Sequence, residues 1–402
     1  MSMRYPAGFI RPGYDPLKNP DAPTIGTATG GDASASVAFT APSNTGGSAI
    51  SAYNVIAYTG GAFVKNTSGT TSPVSVTGLT NGTPYTFTVW ALNTYGPGPY
   101  SAASGSVAPF LPTRGLVGGG GYPQVNTIQY ITIESTGNFI DFGDLTSVDA
   151  FYNQSCSSST RGIFAGGFNG GGTTSNVINY VTIASVGNAT DFGDLLSTVS
   201  FKGGGCSNST RGLFIGTDSS SLDSNSIQYI TIASTGNALD FGDLSSTVNY
   251  AAAASNTTRA ILMRGDSTST TSYVTIASTG NGTDFGNMTV TRNDGTAGCA
   301  SSTRALFVGN SSGGEVTIDY CTIATTGSFA DFGDLTLGRQ GCAATSNKIR
   351  GIFAGGYSGG PGTVNIVDYV TIAETGNAVD FGDLAVAVYG TSACSSAHGG
   401  LA

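Results

Sequence analysis

The sequence has a single histidine, a single tryptophan and little charge. Asp, Glu, Lys and Arg make up 10 % of its 402 residues, against about 25 % in an average soluble protein. The histidine, His398, lies near the end of the chain. Acid–base and metal chemistry lean on imidazole, so a Ser-His-Asp triad or a multi-histidine metal site cannot be assembled elsewhere. The 15 Lys and Arg residues are scattered and form no basic stripe, which excludes nucleic acid as an expected partner. No run approaches about 18 apolar residues, so no membrane span is expected. The opening MSMRYPAGFIRPGYDPLKNP lacks the basic-then-apolar order of a signal peptide. The six cysteines (Cys156, Cys206, Cys299, Cys321, Cys342 and Cys394) form no CxxC pair. A zinc or thioredoxin-type site therefore has no support. A disulfide scaffold fits poorly, because a chain this long can bury a large core without staples.

Glycine is abundant instead, at 61 residues or roughly twice the usual share. Hydrophobic residues reach 39 %, which argues against disorder. A Gly-, Ser- and Thr-rich chain with β-branched and aromatic residues throughout is expected to be all-β.

One pattern recurs from Thr113 onward. A Thr-Arg-Gly turn leads an apolar run ending in glycines, as in TRGLVGGG, TRGIFAGG and IRGIFAGG, and a longer block such as NYVTIASVGNATDFGDL follows. The repeat arginines are Arg114, Arg161, Arg211, Arg259, Arg304 and Arg350, spaced by 47, 50, 48, 45 and 46 residues. That is the period of a four-stranded propeller blade. Each repeat reads as four short strands: a cysteine strand, the GIFAGG run, the NYVTIA run, and the short DFGDL segment after a Ser-Thr-Gly-Asn turn. The third strand carries apolar groups on both faces, as a blade between two neighbours requires. The first repeat lacks a cysteine strand, while the chain ends in a spare one, YGTSACSS. Tyr389 to Ser396 is therefore expected to complete the blade begun at Arg114, closing six blades and leaving no sheet edge.

Five cysteines take the first-strand position, Cys342 with a shift of three residues, and Ala254 stands in the remaining repeat. They read as small buried hydrophobes near the axis, with a metal-binding or redox ring as the alternative weighed. The DFGD aspartates read as turn residues that accept backbone N–H bonds or pair with the repeat arginine. A calcium loop is the alternative, because such a turn could supply some of six to eight oxygens.

Residues 113–402 resemble kelch-type propellers. The features that carry this are Gly166 and Gly167, Tyr180, Asn188, and Phe192 in place of that family's Trp, repeated at Gly355, Gly356, Tyr369, Asn377 and Phe381. The arginine sits after the first strand rather than before it, so the resemblance is to a divergent kelch-like fold, and function does not follow from it.

Residues 21–109 have a different rhythm. Period-2 segments such as ASVAFTAP, AYNVIAYT and TPYTFTVWALN suit a seven-stranded immunoglobulin-like sandwich. GLTNGTPYTFTVWALNTYGPGPYS resembles a fibronectin type III domain, with Leu79, Tyr85 as its tyrosine-corner residue, Val89, Ala91 and Asn93. Phe39 stands for the family's core tryptophan. Alternation points Tyr85, Phe87, Val89 and Ala91 inward and Trp90 outward, which marks Trp90 as a candidate interface residue. Residues 1–20, with Pro6, Pro12, Pro16 and Pro20, read as an extended arm of the kind that docks on neighbouring subunits or on copies in a homo-oligomer.

Function is sought where repetition fails. Strand direction puts the second-to-third and fourth-to-first connections on one face of the propeller, and these vary between repeats while the other two turns barely change. Phe168, Asn169, Asp218, Asp266, Asn310 and Tyr357 lie in them and are the candidate binding residues of this face. No catalytic, cofactor or metal residue is expected. The arm, sandwich and propeller together resemble bacteriophage appendage or decoration proteins. That resemblance implies a non-enzymatic virion structural protein, assembled in the host cytoplasm and exposed outside the cell. The arm and the fibronectin-like domain would then hold other virion proteins, and the propeller would bind a host-surface glycan or protein. A bacterial surface or secreted adhesin is the alternative, and a glycan-active enzyme with a carboxylate pair on the variable face is a third.

Overall fold

A computed structural model describes residues 17–401, apart from residues 122, 123, 149, 169–172, 200–202, 217–223, 266, 294 and 311–313. The chain divides into two compact units, Met1–Pro112 and Thr113–Ala402. Both are built from antiparallel strands, and the one helical element among the described residues is a 3-10 turn at Gly399–Leu401.

The first unit holds seven strands: β1 (Thr24–Gly31), β2 (Ser34–Thr40), β3 (Ala52–Thr59), β4 (Ala62–Gly69), β5 (Val74–Thr77), β6 (Thr86–Asn93) and β7 (Gly96–Pro97). One sheet runs β1-β2-β5 and the other β4-β3-β6-β7. Alternation along β6 buries Phe87, Val89, Ala91 and Asn93 and leaves Thr86, Thr88, Trp90 and Leu92 half-buried. The inward set packs with Val37, Phe39, Tyr53 and Val55. Phe39 lies against Tyr53 with ring centroids 4.7 Å apart. The Tyr85 hydroxyl accepts the Thr80 N–H at 3.1 Å, the hydrogen bond that defines a tyrosine corner.

Among the described residues the second unit holds a two-stranded sheet, Tyr357–Ser358 with Gly362–Thr363, and six four-stranded ones. Their first strands are Ser392–Ser395, Gln154–Ser157, Gly204–Ser207, Ala252–Ser255, Ala297–Ala300 and Ala343–Ser346, each paired with the strand that opens on a repeat arginine. In the first sheet that first strand is the last of the chain, and it sets Cys394 opposite Leu116. Neighbouring first strands touch in the same order, and the strand at Ala343–Ser346 touches Ser392–Ser395. Small side chains predominate in these strands, with Gln154 the largest. Serine hydroxyls stitch the strands: Ser157 donates to the Ser395 carbonyl at 2.7 Å, Ser207 to Ser157 at 2.7 Å, Ser255 to Ser207 at 2.8 Å, Ser346 to Ala300 at 2.7 Å and Ser395 to Ser346 at 2.6 Å. Ala300 takes the sixth position.

The cysteines face sideways, toward the next sheet. A Cβ on Gly162 would lie 3.1 Å from Cys394 Sγ, and one on Gly351 would lie 3.0 Å from Cys299 Sγ. Glycine after the repeat arginine thus makes room for a neighbour's sulfur. Cys342 does not hold the fifth cysteine position. Thr345 pairs with Ile352 as Cys156 pairs with Ile163, and Thr345 Cγ2 fills the space over Gly115.

Each repeat arginine works between sheets. Its guanidinium carbon lies 4.3–4.9 Å from the ring centre of its own sheet's tyrosine: 130, 180, 229, 273, 320 or 369. Its Nη1 donates to an isoleucine carbonyl of the following sheet, from Arg114 to Ile183 at 2.9 Å through to Arg350 and Ile133 at 3.1 Å. No repeat arginine binds a DFGD aspartate, contrary to one sequence expectation. Stacking on the tyrosine face and donation to the carbonyl occupy the guanidinium together. The DFG phenylalanine is buried edge-on to that tyrosine, as with Phe142 and Tyr130 at 5.7 Å. The DFG glycine has a positive φ and abuts the next sheet's turn. A Cβ on Gly143 would lie 2.5 Å from the Gly187 carbonyl oxygen, and one on Gly382 would lie 2.5 Å from that of Gly137.

Two sheet-to-sheet joints carry buried charge. Arg292 lies 2.7 Å from Asp319, and Arg339 lies 3.1 Å from Asp368, all four side chains fully buried. Arg292 also donates to the carbonyls of Gly309 at 2.8 Å and Thr317 at 3.0 Å, while Asp319 accepts from Thr289. At the preceding joint, Val248 and Ser272 take these places by strand register. Removing one partner of a buried pair typically costs about 3–5 kcal/mol. Arg292→Val is expected to lose about that much in urea unfolding. Adding Asp319→Ser, which copies the preceding joint, is expected to recover most of it. A double variant no more stable than the single one would refute a mutual ion pair.

Candidate functional site

The six first strands surround a narrow space with two ends. At one end the tail after Ser395 folds under the strands. His398 Nε2 lies 3.2 Å from both Ser207 Oγ and the Ser157 carbonyl oxygen. Gly399 packs on Ser301 and Gly400 on Ser207 so closely that neither position has room for a Cβ.

The other end is the mouth, where the fourth-to-first links arrive. Phe151, Tyr152, Tyr250 and Tyr389 come from these links. Phe168 and Tyr357 join them from the second-to-third side. Phe151 stacks on Tyr152 at 4.1 Å and lies 4.9 Å from Phe168 and 5.0 Å from Tyr389. Tyr152 lies 5.7 Å from Tyr250, and Tyr389 lies 5.6 Å from Tyr357. Phe151 and Tyr152 are buried, Phe168, Tyr250 and Tyr389 are half-buried, and Tyr357 is 37 % exposed.

Backbone geometry sets this cluster apart from packing alone. The link position four residues before the cysteine position has a positive φ at Gly295 (73°), Gly341 (63°) and Gly390 (64°), and equally at Tyr152 (58°) and Tyr250 (57°). Glycine adopts this conformation freely, whereas a bulky residue is strained there. Backbone bonds hold the links together: Tyr152 N–H donates to Gly390 O at 2.6 Å, Gly390 to Gly341 at 2.7 Å, and Gly341 to Gly295 at 2.7 Å. The glycines also make room for rings. A Cβ on Gly341 would lie 2.9 Å from Tyr389 Cδ2, and one on Gly390 would lie 2.9 Å from Tyr152 Cδ1.

Beneath the mouth the space is polar and small. Asn153, Gln154, Thr296, Thr391 and Ser392 line it, with about 40 Å³ open to water-sized molecules. That is room for a few waters and none for a sugar ring. Both polar atoms of the Gln154 side chain, Asn153 Oδ1 and Ser392 Oγ are buried without a protein hydrogen-bond partner.

Of the sequence-derived candidates, Phe168 and Tyr357 belong to this cluster. Asn310 is half-buried, and its Nδ2 donates to the Thr291 carbonyl at 3.1 Å. Asn169, Asp218 and Asp266 lie outside the described residues. Trp90 is half-buried on the outer side of β6. Tyr152 and Tyr250 escaped the sequence reading. Aligned on the cysteine position, FYNQSC and NYAAAA put tyrosine where DGTAGC puts glycine, and that was the available signal.

The remaining chemistry is muted. Burial pushes the thiols of Cys206, Cys299, Cys321 and Cys394 up to about 12, which suits packing rather than a metal or redox ring. Among the described residues, no three His, Cys, Asp or Glu side chains gather as a metal group. Asp331 Oδ1 accepts the Gly333 N–H at 3.1 Å, as a turn aspartate does. The other DFGD contact runs through backbone: Asp144 N–H donates to Asn188 Oδ1 of the next sheet at 3.1 Å, and four further sheets repeat it.

Residues 21–106 match the fibronectin type III domain, in agreement with the two sheets and the tyrosine corner, and form such a domain. No curated protein matches the chain.

Burial draws the His398 imidazole down from 6.5 to about 4, against a smaller opposing effect of the Ser157 carbonyl. The folded tail keeps it neutral where the unfolded chain would protonate it. Its contribution is therefore complete above pH 6.5, falls as pH drops from about 6.5 to about 4, and is level below that. His398→Asn is expected to flatten the fall of the unfolding midpoint across that window. A variant whose pH profile parallels the wild type would contradict an imidazole held neutral by the fold.

Proposed function

We propose that the chain is a non-enzymatic recognition protein, with a fibronectin type III domain and a closed six-bladed, kelch-like β-propeller. Six four-stranded sheets support the propeller. So do the pairing of Ser392–Ser395 with Arg114–Gly118 and the reach of Arg350 to Ile133, which joins the last repeat to the first. Recognition is assigned to the face bearing the variable connections. One observation carries that assignment: an aromatic cluster at the mouth, two of whose tyrosines hold a backbone conformation that glycine holds in other repeats. Strain of this kind persists where function retains it.

The setting we favour is the virion of a bacteriophage. There the arm and the fibronectin domain would bind other virion proteins, and the propeller would meet a host-surface glycan or protein. This rests on architecture and analogy. A bacterial surface adhesin uses the same face in the same way. The reading assigns no catalytic, cofactor or metal residue.

Two measurements test it. Mass spectrometry and imaging of purified particles should find the protein on the virion; its absence there would favour the adhesin. Replacing residues 168–174 and 357–362 by short turns should abolish adsorption of the purified protein to intact cells. Undiminished adsorption would remove the recognition face.

A further inference from the structure

We infer that the aromatic mouth is a stacking platform for a neutral saccharide. This inference rests on the recognition reading and gives it a ligand class. The first ground is backbone strain. Tyr152 and Tyr250 occupy the left-handed position that Gly295, Gly341 and Gly390 occupy in other links. A purely structural link is best served by glycine there; the Tyr250 ring is half-buried at the mouth, and the buried Tyr152 ring supports it from 5.7 Å.

The second ground is the shape and chemistry of those rings. Neighbouring glycines let the rings of Tyr152 and Tyr389 lie close over backbone. The outcome is a tyrosine-rich cluster around one axis, whose half-buried members Phe168, Tyr250 and Tyr389 offer ring surface. Ring faces stack on the apolar C–H face of a pyranose, and hydroxyls serve its polar edge. A proline-rich peptide also stacks on aromatics, but it asks for an extended groove, and here the rings converge on one end of a narrow space.

The third ground lies under the platform. Gln154, which is 1 % exposed, presents an amide donor and an amide acceptor with no protein partner. Ser392 Oγ and Asn153 Oδ1 line the same space and are also unpartnered. Water in that space would satisfy them and carry both donor and acceptor character toward the mouth. Sugar hydroxyls, which donate and accept at once, match such a surface. No ionised side chain belongs to the described cluster, so a charged ligand would find no counter-ion in it.

The test uses the full chain. Saturation-transfer NMR and calorimetry are run against neutral oligosaccharides of glucose, galactose, rhamnose and N-acetylglucosamine. A sialylated oligosaccharide and a proline-rich peptide serve as comparison arms. At least one neutral saccharide is expected to bind. Tyr250→Gly is expected to weaken it at least tenfold while the melting temperature holds or rises, because glycine relieves the strained φ. Tyr250→Phe, which keeps the ring, should retain most of the binding. The inference is overturned if no neutral saccharide binds, if only the peptide or the charged sugar binds, or if Tyr250→Gly binds as the wild type does. Adsorption to intact cells separates the two readings. Adsorption that survives periodate oxidation of surface sugars removes the saccharide and leaves recognition standing. Absence of both adsorption and saccharide binding removes both.

Discussion

Six strands packed side to side around one narrow space leave no room for large side chains, and most of the second unit follows from that constraint. Gln154 and Thr345 apart, glycine, alanine, serine and cysteine fill the first strands because each strand lies against its neighbour's backbone. Serine hydroxyls then answer the neighbour's carbonyls, and cysteine sulfurs settle over glycines of the next sheet. Farther out, the spacing between sheets is kept by a different device. Each arginine lies on its own tyrosine and reaches the next sheet's carbonyl, so one side chain fixes both the tilt and the distance of its neighbour. With neither face of a sheet open to water, little surface remains for charge. The 10 % charged composition is a result of the architecture rather than a sign of low complexity.

Departures from the repeat fall into two kinds. Arg292 with Asp319 and Arg339 with Asp368 replace neutral side chains at two joints. These pairs are fully buried, and carbonyls and threonines meet part of their hydrogen-bonding capacity, so they belong to the frame. The tyrosines at the mouth are the other kind. They bring strain and aromatic surface to a place where the frame asks only for glycine. The opposite end of the same space is met by the tail, whose His398 imidazole lies against Ser157 and Ser207. One narrow space thus has an end lined by the tail and an end decorated by the links.

Much of this was legible in the residues. The 45- to 50-residue period, the strand count per repeat and the return of the last strand to the first repeat came from spacing and alternation, and the role of Tyr85 from the resemblance to fibronectin type III domains. These are properties that many residues state together. Single contacts were harder. A repeated arginine beside a repeated aspartate invites an ion pair, yet the guanidinium prefers the tyrosine face and a carbonyl, and no one-dimensional pattern encodes that choice. Cys342 drew attention as a cysteine, although counting back from Arg350 places Thr345 at the position that Cys156 holds before Arg161. The strained tyrosines were hidden for another reason. They sit in links that differ in sequence from repeat to repeat, so their shared backbone conformation emerges only when the strands fix the register.

The central claim is that the last strand makes the first sheet equal to the other five. Native-state hydrogen exchange reads this directly at the amides of Gly115–Gly118 and Ser392–Ser395, compared with those of Arg211–Ile215 and Gly204–Ser207. In a closed ring no seam opens alone, and the two sets should exchange with the same free energy, that of global unfolding. Faster exchange confined to the terminal strand and its partner would contradict the account, because the first sheet would then be an edge and not a joint.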